Sequence, residues 1–135
     1  MNIEQKLYDA AVELIKQRYP VGWGGAAAMY TKGERILTSV APEVLVDATN
    51  VCIETGAILE AHKFNDPVTY SICVVRDDEN SKFKILTPCG ICQERLIYWG
   101  EDVKAAVFTE NGELDYKTLK EIQPYHWAKA YEGEI

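Results

Sequence analysis

Thr87-Pro88-Cys89-Gly90-Ile91-Cys92, read together with Cys52-Ile53-Glu54-Thr55 upstream, decides how the rest of this chain is organised. Three cysteines, Cys52, Cys89 and Cys92, offer three thiolate ligands and leave a fourth tetrahedral position free, the donor set of a Zn2+ ion (one per chain) that does chemistry. Thr87 as cap and Pro88 in the first helical position predict a helix running to about Trp99, with Gly100 as its stop. On such a helix Cys89 and Cys92 share one face and can grip one ion. Cys52 has to come from another helix, predicted to start near it under a Thr49 or Asn50 cap, with Ile53, Ala57, Ala61 and Phe64 as its buried stripe and Asn65-Asp66-Pro67 as its close. Two helix N-termini would offset part of the negative charge that three thiolates leave on zinc.

Glu54 stands two residues from Cys52, which on a helix turns the two side chains to different sides. The carboxylate is then expected to face a water on the metal without competing as a ligand, and to act as a general acid and base. A Cys-x-Glu by itself carries little information; joined to Pro-Cys-x-x-Cys at a helix start it becomes specific. Two other readings use the same cysteines. One is a thiol–disulfide redox pair at Cys89 and Cys92, with Pro124 as a distant partner. The other is a zinc that only stabilises a binding module. Neither gives Glu54 a task.

The remaining elements are read outward from these motifs. Leu7, Ala10, Ala11, Leu14 and Ile15 predict an amphipathic helix from Ile3 to Arg18, ended by Tyr19-Pro20. Ala26 to Tyr30 and Arg35 to Val40 read as a hairpin turning at Lys32-Gly33, preceded by glycines around Trp23 that let backbone approach something closely. Val68 to Arg76 reads as a central strand, Lys82 to Leu86 and Val103 to Thr109 as further strands, and Tyr116 to Ile122 as a short helix before Pro124-Tyr125-His126-Trp127. Strands alternating with helices imply a layered α/β domain, and 135 residues suit a single domain, 1-135, with a core of its own.

A net charge of −7 without a basic track disfavours binding to nucleic acid polymers and suits a small uncharged or cationic ligand. The N-terminus lacks the form of a signal peptide and no apolar run reaches the length of a membrane span, so the expected location is cytoplasmic, away from the membrane. In that reducing setting four cysteines are expected as ligands or free thiols. Cys73, among Ile72, Val74 and Val75, reads as a buried thiol, His62 as structural, and His126 stays open. Trp23 fits either edge packing or the wall of a ligand pocket.

With these motifs in place, the chain from Trp23 to Trp127 resembles the cytidine deaminase superfamily, in particular its small cytidine deaminases and blasticidin S deaminases. The resemblance implies a three-layer α/β/α fold with a five-stranded mixed sheet, a homotetramer, Cys52, Cys89 and Cys92 as zinc ligands and Glu54 as the proton shuttle. It implies hydrolytic deamination of an aminopyrimidine nucleoside, cytidine or deoxycytidine, to the uridine product and ammonia, or else of an antibiotic nucleoside such as blasticidin S. Glu43 falls where the family binds a sugar hydroxyl, but Ala41 replaces the Asn usual two residues earlier. Trp23 falls near a Phe beside the substrate, Ile53 replaces Ala next to the ring pocket, and Pro124-Tyr125 matches a stretch whose aromatic tail reaches a neighbouring subunit. Thr55 stands where the family has an Arg that neutralises the thiolates, and Gln93-Glu94 where Arg-Gln is common; Arg95 is the expected replacement cation.

Overall fold

The computed structural model describes residues 2–132. The chain begins with α1, Ile3–Arg18, as its periodicity predicts: Asn2 caps it by accepting from the Gln5 N–H, and Leu7, Ala11 and Ile15 are fully buried along one stripe. A hairpin follows, β1 (Gly24–Thr31) and β2 (Ile36–Ser39). Next come α2 (Thr55–Phe64), the long strand β3 (Val68–Arg76), a two-residue β4 (Lys84–Ile85), α3 (Gly90–Leu96), β5 (Lys104–Ala106), β6 (Tyr116–Thr118) and α4 (Leu119–Ile122).

The sheet is mixed, in the order β2-β1-β3-β5-β6, with β4 pairing β3 beside that path. β1 lies antiparallel to β3 with Ala27 opposite Cys73, whereas β5 runs parallel to β3 with Tyr70 opposite Lys104. Side chains alternate across β1, so its two faces feed two cores. Ala26 and Ala28 face α1 together with Ile72 and Val74; Met29 faces Ala57, Ile58 and Leu96 from α2 and α3. The three-layer α/β/α architecture follows from that division, and the small alanines let α1 lie close on the sheet.

Asp66 ties the hairpin to the end of α2. Its carboxylate accepts from the Thr31 hydroxyl, the Gly33 N–H and the Arg35 guanidinium, and Asn65 before it takes the left-handed conformation that ends the helix.

Several expected boundaries move. α2 starts at Thr55, and Cys52 lies outside it. Thr49 and Asn50 cap nothing in α2: the Thr49 hydroxyl donates to the Val46 carbonyl in a short 3-10 turn, and the Asn50 side chain accepts from the Val51 N–H. Ser39 of β2 donates to the Ile53 carbonyl at 2.7 Å, a tertiary bond that draws this segment onto the sheet before the helix begins. Phe64 is exposed beneath the Arg35 guanidinium, and Ile58 takes the buried place expected for it. α3 starts at Gly90, because the Thr87 hydroxyl accepts from the Phe108 N–H and so is not a cap; Cys89 stands at the N-cap. The stretch expected as one helix from Tyr116 divides into β6 and α4 at Thr118, whose reciprocal bonds with Glu121 form a capping box. Pairing with β5 claims Tyr116–Thr118 for the sheet. Among the described residues the sheet thus has six strands, five on its main path.

Candidate active site

Two chain segments meet at the cysteines. Cys52 arrives on the irregular stretch before α2, Cys89 is the N-cap of α3 and Cys92 lies in its first turn. Their three sulfurs all lie within 4.8 Å of one another, with Cys52 Sγ 3.2 Å from Cys89 Sγ. Thiolates about 2.3 Å from a tetrahedral zinc stand roughly 3.8 Å apart, so the set has the size of such a site. The three cysteines can hold a metal ion, and soft sulfur donors suit zinc.

The local electrostatics follow from helix geometry and burial. Burial pushes the Cys52 thiol up, and the Cys89 sulfur adds to that push. Burial acts on Cys89 as well, but the Cys92 N–H, the Cys52 thiol and the Ile91 N–H outweigh it and leave Cys89 below its ordinary value. Free N–H groups at the start of α3 therefore do what the sequence assigned to two helices; the start of α2 is too late in the chain to serve Cys52. Cys92, fully buried, is driven strongly upward by desolvation and then by the nearby Glu54 carboxylate.

Glu54 is 5% exposed. It occupies the N-cap position of α2 without capping it by its side chain, so the carboxylate is free to face the cysteines. Burial raises its pKa, opposed by its own N–H and by hydrogen bonds with the Cys92 and Cys73 thiols. Cys73 projects from β3 as the buried thiol expected, with its own pKa driven strongly up by desolvation. Its meeting with Glu54 had no local signal, because it depends on β3 passing beneath the start of α2.

Of the other expected residues, Trp23, Glu43 and Arg95 line two neighbouring cavities, whereas Ile53 and Thr55 line neither. The larger, about 590 Å³, is lined by Arg18, Tyr19, Trp23, Ala41, Glu43 and Asn50 among others. The smaller, about 380 Å³, is lined by Asn50, Val51, Cys52, Ile91 and Arg95. Asn50 borders both, so the cavities adjoin, with Glu43 and Trp23 at one end and Cys52 at the other. Trp23 is half exposed, at the wall of the larger cavity, and meets Tyr19 edge-on at 5.7 Å. Gly25 explains the glycines beside it: a Cβ there would come within 2.9 Å of Ile53 Cδ1 and 3.0 Å of the Trp23 ring, so only glycine lets both side chains lie over β1.

Arg95 donates to the Thr55 hydroxyl at 3.0 Å across α2 and α3, which joins two residues the sequence had singled out separately. The histidines lie elsewhere. His62 stacks on Trp99 at 4.6 Å, and buried His126 binds the Glu94 carboxylate through Nε2 while Nδ1 accepts from the Ala128 N–H. Sequence reasoning missed Arg18 and Asn50 as cavity residues; a polar residue at the end of an amphipathic helix carries no mark of what it will face.

No family model matches the chain. It is 27% identical over 107 residues to a blasticidin-S deaminase of Bacillus cereus, with 76% of each chain covered. Among solved structures it matches a cytidine deaminase from Bacillus anthracis at 56% identity and a TM-score of 0.97, covering 98% of this chain and 95% of that one. A cytidine deaminase from Mycobacterium leprae matches at 22% identity and a TM-score of 0.68, over 89% of this chain and 96% of that one, and shows the shared fold alone. With a sheet, a cysteine cluster and a relative of more than half its sequence in common, the chain belongs to the cytidine deaminase superfamily.

Proposed function

We propose that this protein is a zinc-dependent hydrolase that deaminates cytidine or deoxycytidine to the uridine product and ammonia, as a single domain. The observation that carries the reading is the buried Glu54 carboxyl set against three clustered cysteines, in a chain 56% identical to a cytidine deaminase. Cys52, Cys89 and Cys92 hold the zinc. When bound, the metal supplies a Lewis acid that brings the pKa of water to about 7 and so makes a nucleophile available at neutral pH. Glu54 takes one proton of the water and delivers it to the ring nitrogen beside the reacting carbon, then takes the second, from the hydroxyl that becomes the product carbonyl, and gives it to the departing amine. Its low solvent exposure favours the protonated form, which suits a carboxyl that must both accept and return a proton.

The substrate lies across the two cavities, its ring by Ile53 and the cysteines and its sugar by Trp23 and Glu43. Arg95, anchored on Thr55, offsets the thiolate charge from the side of the smaller cavity. The resemblance to the family supports assembly as a homotetramer; Leu45, Tyr98, Phe108 and Tyr125 are large apolar side chains exposed on the single chain. Free thiols at the site fit the reducing cytoplasm, and no helix among the described residues is long and apolar enough to cross a membrane.

A second substrate, an antibiotic aminopyrimidine nucleoside, is favoured by the likeness to a blasticidin-S deaminase and by Ala41, which leaves Glu43 without the Asn that the family sets beside it. Ammonia release from cytidine, deoxycytidine and blasticidin S separates the two. The mechanism is tested with Glu54→Gln: metal analysis should give one zinc per chain as in the wild type, while ammonia release falls to background. Turnover retained in that variant overturns the role of Glu54.

A further inference from the structure

The larger cavity ends on a guanidinium that the cysteine motifs do not explain. Arg18 closes α1, with its guanidinium 4.7 Å from the centroid of the Tyr19 ring and its Nη2 3.5 Å from Glu43 Oε1. Among the described residues lining this cavity, Arg18 is the one cation and Glu43 the one anion. Stacking on an aromatic face holds a planar guanidinium in place, so Arg18 stays at the mouth.

Both side chains are solvated, 46% and 82% exposed, and a pair of this kind stabilises the fold little. Its consequence falls on whatever enters the cavity. Without Arg18 the mouth would present a lone carboxylate, on a protein already carrying a net charge of −7, and would draw in cations. With Arg18 the mouth is locally neutral. A bound nucleoside that displaces water from between the two side chains lowers the local dielectric and strengthens both interactions.

We propose that Arg18 is a specificity-determining residue, which by pairing with Glu43 tunes the sugar end of the cleft to uncharged nucleosides and away from those bearing a cation on the sugar. The inference rests on the deaminase reading above, which places the sugar in the larger cavity. It identifies the Arg18–Glu43 pair as the element whose loss would move the protein toward cationic aminopyrimidine nucleosides.

The test compares cytidine with 5′-amino-5′-deoxycytidine, which differ by one cationic group. Kd by calorimetry and kcat/KM are measured for the zinc-loaded wild type, Arg18→Gln, Arg18→Lys and the double variant Arg18→Gln/Glu43→Gln. Arg18→Gln should shift preference toward the amino compound by about fivefold, mostly in KM, and the shift should shrink at high salt. Arg18→Lys, which keeps the charge but not the stacking on Tyr19, should fall between the wild type and Arg18→Gln, and the double variant should return to the wild-type ratio. A ratio unchanged in Arg18→Gln, or a shift that persists when Glu43 is also neutralised, overturns the proposal. If the wild type binds both compounds but releases no ammonia, the deaminase reading fails and the Kd ratios still decide on Arg18; if it binds neither, both are overturned.

Discussion

Four cysteines in one chain have four different environments, and that difference is chemical as well as geometric. Cys89 is exposed at the start of α3, where N–H groups hold its thiol below the ordinary value, while Cys73 is 5% exposed and pushed strongly up by burial. Only the thiolate reacts with alkylating agents. In metal-stripped protein, iodoacetamide should therefore modify Cys89 first and the two buried thiols, Cys92 and Cys73, last, an order that mass spectrometry of timed samples reads directly. Zinc should protect Cys52, Cys89 and Cys92 together and leave the slow labelling of Cys73 unchanged. If a dithiol redox pair were the purpose of the motif, zinc would give no such threefold protection.

The connections between elements carry their own titration. Asp66 links the β1–β2 turn to the end of α2, and the Thr31 hydroxyl, then the Gly33 N–H and Arg35, hold its carboxyl below the usual value against the opposing effect of desolvation. A carboxyl whose folded pKa lies below its unfolded one stabilises the fold in its ionised form. That contribution is fully present above the unfolded value of about 3.9 and is lost as pH falls through the folded value. Asp66→Asn should lower the melting temperature most near neutral pH, with the gap to the wild type closing in strongly acidic solution. Thermal denaturation across that pH range checks it; a gap that stays constant would mean the bonds to Asp66 do not depend on its charge. Two other bonds between distant segments show why element boundaries shifted: Ser39 donating to the Ile53 carbonyl holds the stretch before α2 on the sheet, and Thr87 receiving the Phe108 N–H is taken from the helix cap that local pattern had given it.

Over the whole molecule, the core beneath α2 and α3 also positions the ligands. Leu96 is fully buried against Ala57 and Ile58, in the same short helix as Cys92. Leu96→Ala should destabilise the fold by about 2–5 kcal/mol in urea denaturation. Metal binding selects the folded arrangement, since the three sulfurs meet only there, so zinc should raise the melting temperature and a chelator lower it. A Cys89→Ser/Cys92→Ser variant should melt at the same temperature with and without zinc. What the sequence determined by itself was local: α1 from its apolar spacing, β3 from its β-branched run, the pairing of Cys89 with Cys92 through one helical turn, and Glu54 beside Cys52. Side-chain spacing reports on neighbours within a turn or two of chain, and these features need nothing further. The two cysteine motifs named Cys52 as a partner of Cys89 and Cys92, and the resemblance named Arg95 as the replacement cation, but only the tertiary structure gave their geometry. It alone brought Cys73 beneath Glu54 and Arg18 to Glu43, because each pair is joined through sheet order and register. Those are set by the packing of α1 on one face and α2 with α3 on the other, and no short stretch of the chain encodes them.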